Sequence, residues 1–126
     1  MRTAVIILGH GSRRDGADAP LTELAARLRS SGRHTVVEQA FLQYVPPTLA
    51  DRVEKCVAAG AERIVIVPFF VQPGAHVTKD IPSKVADLRG RYPSVLFSIT
   101  GHVGGHPMMA EIVEDLVENS AECGVK

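Results

Sequence analysis

The sequence predicts a single α/β domain over residues 1–126: a three-layer sandwich with a four-stranded parallel sheet in the order 2-1-3-4 and helices on both faces. Three observations predict the sheet and its helices. Apolar blocks of strand length alternate with longer segments of helical period, the pattern of repeated β-α units whose strands are covered on both sides. At 126 residues the chain can bury one core and is too short for two. No low-complexity stretch or linker interrupts the alternation, and right-handed crossovers joining four such units most economically place strands 1 and 3 side by side at the centre.

The first strand, Thr3–Gly9, is an almost wholly apolar run. The first helix, Ala19–Ser31, repeats Leu21, Leu24, Ala25 and Leu28 on one face and stops at Gly32. Strand 2 covers Thr35–Leu42. Helix 2, Thr48–Ala59, is announced by Pro46-Pro47, carries Leu49, Val53 and Val57, and ends at Gly60. Strand 3 is Arg63–Pro68. Helix 3 is expected to open near Asp80-Ile81-Pro82, with Asp80 as its N-cap and the proline in its first turn, and to run to about Arg91 before Pro93. Strand 4 covers Val95–Thr100, and helix 4, His106–Glu122, repeats Met109, Ile112, Val113, Leu116 and Val117.

The bulk numbers exclude several function classes. Equal counts of 14 basic and 14 acidic side chains leave no long-range field to draw the chain to nucleic acid or an anionic membrane. Aromatic content of 5% without tryptophan gives little to stack bases on. Cys56 and Cys123 form no C-x-x-C pair, which argues against a zinc knuckle, a redox couple or a disulfide scaffold and for reduced thiols in a cytoplasm. The apolar run before Gly9 is short for a signal-peptide core of about 7–15 residues and far short of a membrane span of about 20, so the expected location is cytoplasmic.

The chemistry concentrates in two histidines. His10 follows strand 1 within Gly9-His10-Gly11-Ser12-Arg13-Arg14, and His76 follows strand 3 within Gly74-Ala75-His76-Val77-Thr78-Lys79. Connections leaving adjacent strands 1 and 3 towards opposite faces open a crevice at their carboxyl ends, where open α/β sheets bind ligands. A neutral imidazole is both a metal ligand and a base with a reference pKa of about 6.5. Two of them fall short of the roughly four ligands of a closed structural site and make an open one that can release its ion. Gly9, Gly11, Gly74 and Ala75 allow close approach of a bulky ligand, while Ser12, Arg13, Arg14 and Lys79 suit ligand carboxylates. The bland alternatives are turn histidines bonded to backbone and solvated surface cations. His34 opens strand 2 at the opposite edge and is expected in solvent. His102 and His106 lie one strand further out, with a capping or packing role favoured over a metal role at His106-Pro107.

The segments Gly9-His10-Gly11-Ser12-Arg13, Ala40-Phe41-Leu42-Gln43, Arg63 to Phe70, Gly74 to Pro82 and Gly105-His106-Pro107 resemble, in order and spacing along the whole chain, the small CbiX-type sirohydrochlorin cobaltochelatases. The resemblance implies ATP-independent insertion of a divalent metal, Co²⁺ first and Fe²⁺ or Ni²⁺ as alternatives, into sirohydrochlorin on the way to a tetrapyrrole such as cobalamin. It implies His10 and His76 as catalytic residues and metal ligands, and Gly11, Ser12, Arg13, Gly74, Ala75 and Lys79 as contacts for the macrocycle. It also implies a homodimer. Leu42, Phe69, Phe70 and Val77 then read as walls or as core. One departure stands out: Gln43 occupies a place where many relatives have glutamate, and an amide is a poor metal ligand and no proton acceptor. Asp80 and Glu38 are the candidates for a compensating carboxylate. Two competing readings are a non-catalytic carrier of tetrapyrrole or metal, and phosphoryl chemistry with His10 as nucleophile and Arg13 as clamp, the latter lacking a glycine-rich phosphate cradle.

Overall fold

The computed structural model describes residues 1–12, 16, 18–34 and 36–123, apart from the side chain of His76. In chain order the elements are β1 (Thr3–Gly9), α1 (Ala19–Ser30), β2 (Val36–Phe41), α2 (Leu49–Ala58), β3 (Arg63–Pro68), α3 (Ala75–Arg91), β4 (Leu96–Ile99), a 3-10 turn (Val103–Gly105) and α4 (Met109–Glu118). The four strands are parallel and ordered β2-β1-β3-β4, as the sequence predicts. Leu8 lies between Ala40 on one side and Pro68 on the other, so β1 and β3 end together at one edge.

Both faces of β1 are covered, which explains its unbroken apolar run. Ala4, Ile6 and Leu8 pack with Ile64 and Ile66 beneath Leu49, Val53 and Cys56 of α2 and Ile81, Val85 and Leu88 of α3. Ile7 and Val37 turn the other way, beneath Leu21 and Ala25 of α1. α2 starts where Thr48 and Asp51 form a capping box: the Asp51 N–H donates to Thr48 Oγ1 at 3.1 Å and the Thr48 N–H to Asp51 Oδ2 at 3.0 Å.

Two helices depart from expectation. α3 begins at Ala75, capped by Gly74, so Asp80 is not an N-cap but lies inside the helix, as does Pro82. A proline there removes one backbone donor at a cost of about 3 kcal/mol. Burial of Ile81, Val85 and Leu88 against the sheet offsets it, each being a side chain worth roughly 1.5–3 kcal/mol. α4 is shorter than predicted at both ends. His106 Nδ1 accepts from the Met108 N–H at 3.1 Å, making a turn ahead of the helix, and Asn119 Nδ2 donates to the Asp115 carbonyl at 2.8 Å, closing it. No helix among the described residues is long and apolar enough to cross a membrane.

Cys56 illustrates how closed the α2–α3 side is. Burial, reinforced by the Glu38 carboxylate against the opposing pull of Lys55 and Arg52, raises its thiol from the ordinary 9.0 to about 11. The folded state therefore holds a proton that the unfolded chain releases first. Its contribution is complete below pH 9 and is lost as pH climbs towards 11, at most about 1.4 kcal/mol per pH unit. Denaturant titrations at stepped pH are expected to show this decline in the parent and to lack it in Cys56→Ala. At pH 8 a thiol reagent should label exposed Cys123 and spare Cys56 until the protein unfolds.

Candidate functional site at the carboxyl edge of the sheet

Strand pairing does not stop where β1 stops. The Leu42 N–H donates to the Gly9 carbonyl at 2.9 Å and the Gln43 N–H to the His10 carbonyl at 3.1 Å, while the Phe69 N–H donates to the Leu8 carbonyl at 2.8 Å. These bonds fix the backbone of His10 between the exits of β2 and β3. The glycines beside it are demanded by their surroundings. Gly11 has φ +96, and a Cβ there would collide with the Gln43 carbonyl; a Cβ on Gly9 would meet Leu21 Cδ2 at 2.9 Å.

The His10 ring is exposed and has a partner on each nitrogen. Nδ1 lies 3.3 Å from the Gly11 carbonyl and Nε2 lies 2.8 Å from Gln43 Nε2. One assignment satisfies both: Nδ1–H donates to the carbonyl, and the Nε2 lone pair accepts from the Gln43 amide. Tyr44 and Phe70 flank the ring with centroids 6.3 Å away, Phe70 edge-on at 88°. Ser12 is exposed and follows Gly11 at the rim of a cavity of about 410 Å³ shared with His10, Leu21, Phe41 and Phe69.

Across β3 the chain enters α3 through Gly74, with Ala75 and His76 as the first two helical residues. His76 thus sits not on a loop but on the first turn of a helix, at the edge that carries His10. Lys79 is exposed within the same helix. A second cavity, of about 240 Å³, is lined there by Phe70, Pro73, Thr78, Pro82 and His102. Arg13 and Arg14 lie outside the described residues, as does the side chain of His76.

Glu38 pairs with Ile6 in the β1–β2 register, partway down the sheet, and is neutralised by Arg52 and Lys55 at 3.3 Å each. Asp80 is held within α3. Among the described residues no group of three or more His, Cys, Asp or Glu can hold a metal ion. His34 is exposed at the far edge. His106 does not cap α4, whose N-cap is Met108; its Nδ1 accepts from the Met108 N–H in the turn before the helix. Tyr44 escaped the sequence reading; its ring reaches His10 because its backbone turns through φ +72, and a left-handed tyrosine leaves no mark in composition or periodicity.

Comparison with known proteins gives the chain a family. Residues 4–120 match the family model CbiX. The chloroplastic sirohydrochlorin ferrochelatase of Arabidopsis thaliana is 33% identical over 115 residues, covering 91% of this chain and 51% of that protein. The sirohydrochlorin cobaltochelatase of Priestia megaterium is 29% identical over 124 residues, covering 98% of this chain and 40% of that protein. The sirohydrochlorin chelatase SirB from Bacillus subtilis subspecies spizizenii, solved in complex with cobalt, superimposes with a TM-score of 0.83 at 29% identity over 94% of this chain and 51% of that one. The chain therefore spans about half the length of the curated relatives it matches. With the match running through all four strands and both histidine segments, this chain belongs to the CbiX family.

Proposed function

We propose that the protein inserts a divalent metal into sirohydrochlorin without ATP, with Co²⁺ as the first metal and Fe²⁺ and Ni²⁺ as alternatives, acting in a cytoplasm as a homodimer. His10 and His76 bind the incoming ion and accept the protons it displaces. Gly11, Ser12, Arg13, Gly74, Ala75 and Lys79 contact the macrocycle or its carboxylates. Family membership supports the substrate, since relatives carrying both cobalto- and ferrochelatase names match this chain. Metal identity is left to experiment, because imidazole accepts all three ions.

The observation that carries the reading is the His10 ring itself: exposed, with Nδ1 3.3 Å from the Gly11 carbonyl and Nε2 2.8 Å from the Gln43 amide nitrogen. An amide N–H is a weak partner that a divalent ion can replace. Insertion exchanges two pyrrole N–H protons for one M²⁺, so the site must first hold the ion, then give it up and take protons. An imidazole that has released its metal is a base at neutral pH. Walls such as Phe70 and Tyr44 beside the ring fit the apolar macrocycle.

Anaerobic mixing of the pure protein with sirohydrochlorin and each metal in turn tests this. The expected result is faster formation of the metallated absorbance spectrum than without protein. Binding of both components without that acceleration would mean a carrier. Gln43→Glu in the same assay places an anion against His10 Nε2, and the expected outcome is tighter Co²⁺ binding by roughly 10-fold. An unchanged metal affinity would show that Gln43 does not face the metal position.

A further inference from the structure

Tyr44 combines two properties that no other described residue shares. It is the one residue other than glycine with a positive φ, +72, and the one tyrosine or phenylalanine that is exposed, at 57%. Its backbone is the centre of a γ-turn, in which the Val45 N–H donates to the Gln43 carbonyl at 2.9 Å. With φ positive, such a turn has the rare and strained hand. The surroundings impose it. On one side the Gln43 N–H is bonded to the His10 carbonyl at 3.1 Å; on the other Val45 packs against the core of Ile7, Leu21 and Phe41, and the Phe41 N–H donates to the Pro47 carbonyl at 2.9 Å. Glycine would take that backbone without strain. What the tyrosine adds is a ring beside His10, with centroids 6.3 Å apart and planes tilted at 49°.

We propose that Tyr44 is a stacking contact for the macrocycle: its ring takes a pyrrole unit of sirohydrochlorin at the rim of the His10 site, and the strained turn persists because it aims that ring. This rests on the chelatase reading for its substrate and adds to it a named residue held at a cost in stability. Backbone strain is a feature of ligand clamps, and here little burial of the side chain offsets it. A tyrosine suits the task. It offers a large rigid apolar face with few rotatable bonds and a hydroxyl that tolerates water at the rim. Phe70, half-buried and edge-on to His10 at 88°, belongs to the packing beneath, whereas Tyr44 stands where a ligand approaching His10 meets it.

Titration of the full-length parent, Tyr44→Gly and Tyr44→Phe with metal-free sirohydrochlorin, followed by absorbance, tests the contact. Tyr44→Gly is expected to melt no lower than the parent, because glycine relaxes the turn. It should nevertheless bind the macrocycle about 10-fold more weakly, the effect of losing one aromatic stack. Tyr44→Phe keeps the ring and is expected to rescue the binding. Co²⁺ affinity measured without macrocycle separates the contact from damage to His10, and it should hold in Tyr44→Gly because Gly11 and Gln43 hold the His10 nitrogens. Parent-like macrocycle affinity in Tyr44→Gly, a lower melting temperature or a fall in Co²⁺ affinity there, or a Tyr44→Phe as weak as Tyr44→Gly would each overturn the proposal while leaving the chelatase reading in place. A parent that binds no sirohydrochlorin would refute both together.

Discussion

Replacing either histidine by alanine is expected to lower the rate of metal insertion by about 10²–10⁴-fold, the range that a positioned acid–base group supplies, while leaving the fold in place. The His10 ring contacts Gly11 and Gln43 through hydrogen bonds and two aromatic rings at 6.3 Å, all at the exposed edge. Substitutions at such positions move stability by roughly 0.5 kcal/mol or less. For His76 the backbone argument suffices: it is the second residue of α3, and alanine has the higher helix propensity. Rates measured with saturating sirohydrochlorin and stepped Co²⁺, together with circular dichroism melts, separate loss of chemistry from loss of fold. Near-parent activity in both variants would refute the assignment.

The second large effect concerns Gly11. Gly11→Ala is expected to cost about 1–3 kcal/mol, because alanine must adopt φ +96 and its Cβ must displace the Gln43 carbonyl. That carbonyl belongs to the residue whose N–H is bonded to His10, so the β2 exit has to shift and the Gln43–His10 contact with it. Stability and insertion should fall together. Gly74→Ala is the internal contrast: it caps α3 at φ −71, with open space where a Cβ would stand. Its melting temperature should match the parent's, so any fall in insertion there reports a macrocycle approaching that position. A Gly11→Ala protein as stable and active as the parent would contradict the geometry described for the His10 turn.

The strand order and the exact spans of β1 and β3 were legible because their residues are apolar on both faces and bounded by Gly9 and Pro68. α3 was misread at its start because Pro82 has the local signature of a first-turn proline, and only the burial of Ile81, Val85 and Leu88 on the sheet carries the helix through it. α4 shows the reverse limit. Its stripe of Ile112, Val113, Leu116 and Val117 was visible as periodicity, but periodicity tells that a face needs covering and not what covers it. The Gln43–His10 bond spans 33 residues and arises from backbone pairing that continues beyond both strands, which no local pattern encodes. Glu38 looked available until Arg52 and Lys55 arrived from α2 to neutralise it.

The central claim is that one divalent ion is held jointly by His10 and His76. Anomalous diffraction from crystals soaked in Co²⁺ tests it most directly. A single peak with an imidazole nitrogen of each residue at about 2.1 Å is predicted, with the Gln43 amide displaced from Nε2. Cobalt on one histidine while the other ring turns to a different region, or separate ions on each, would contradict it.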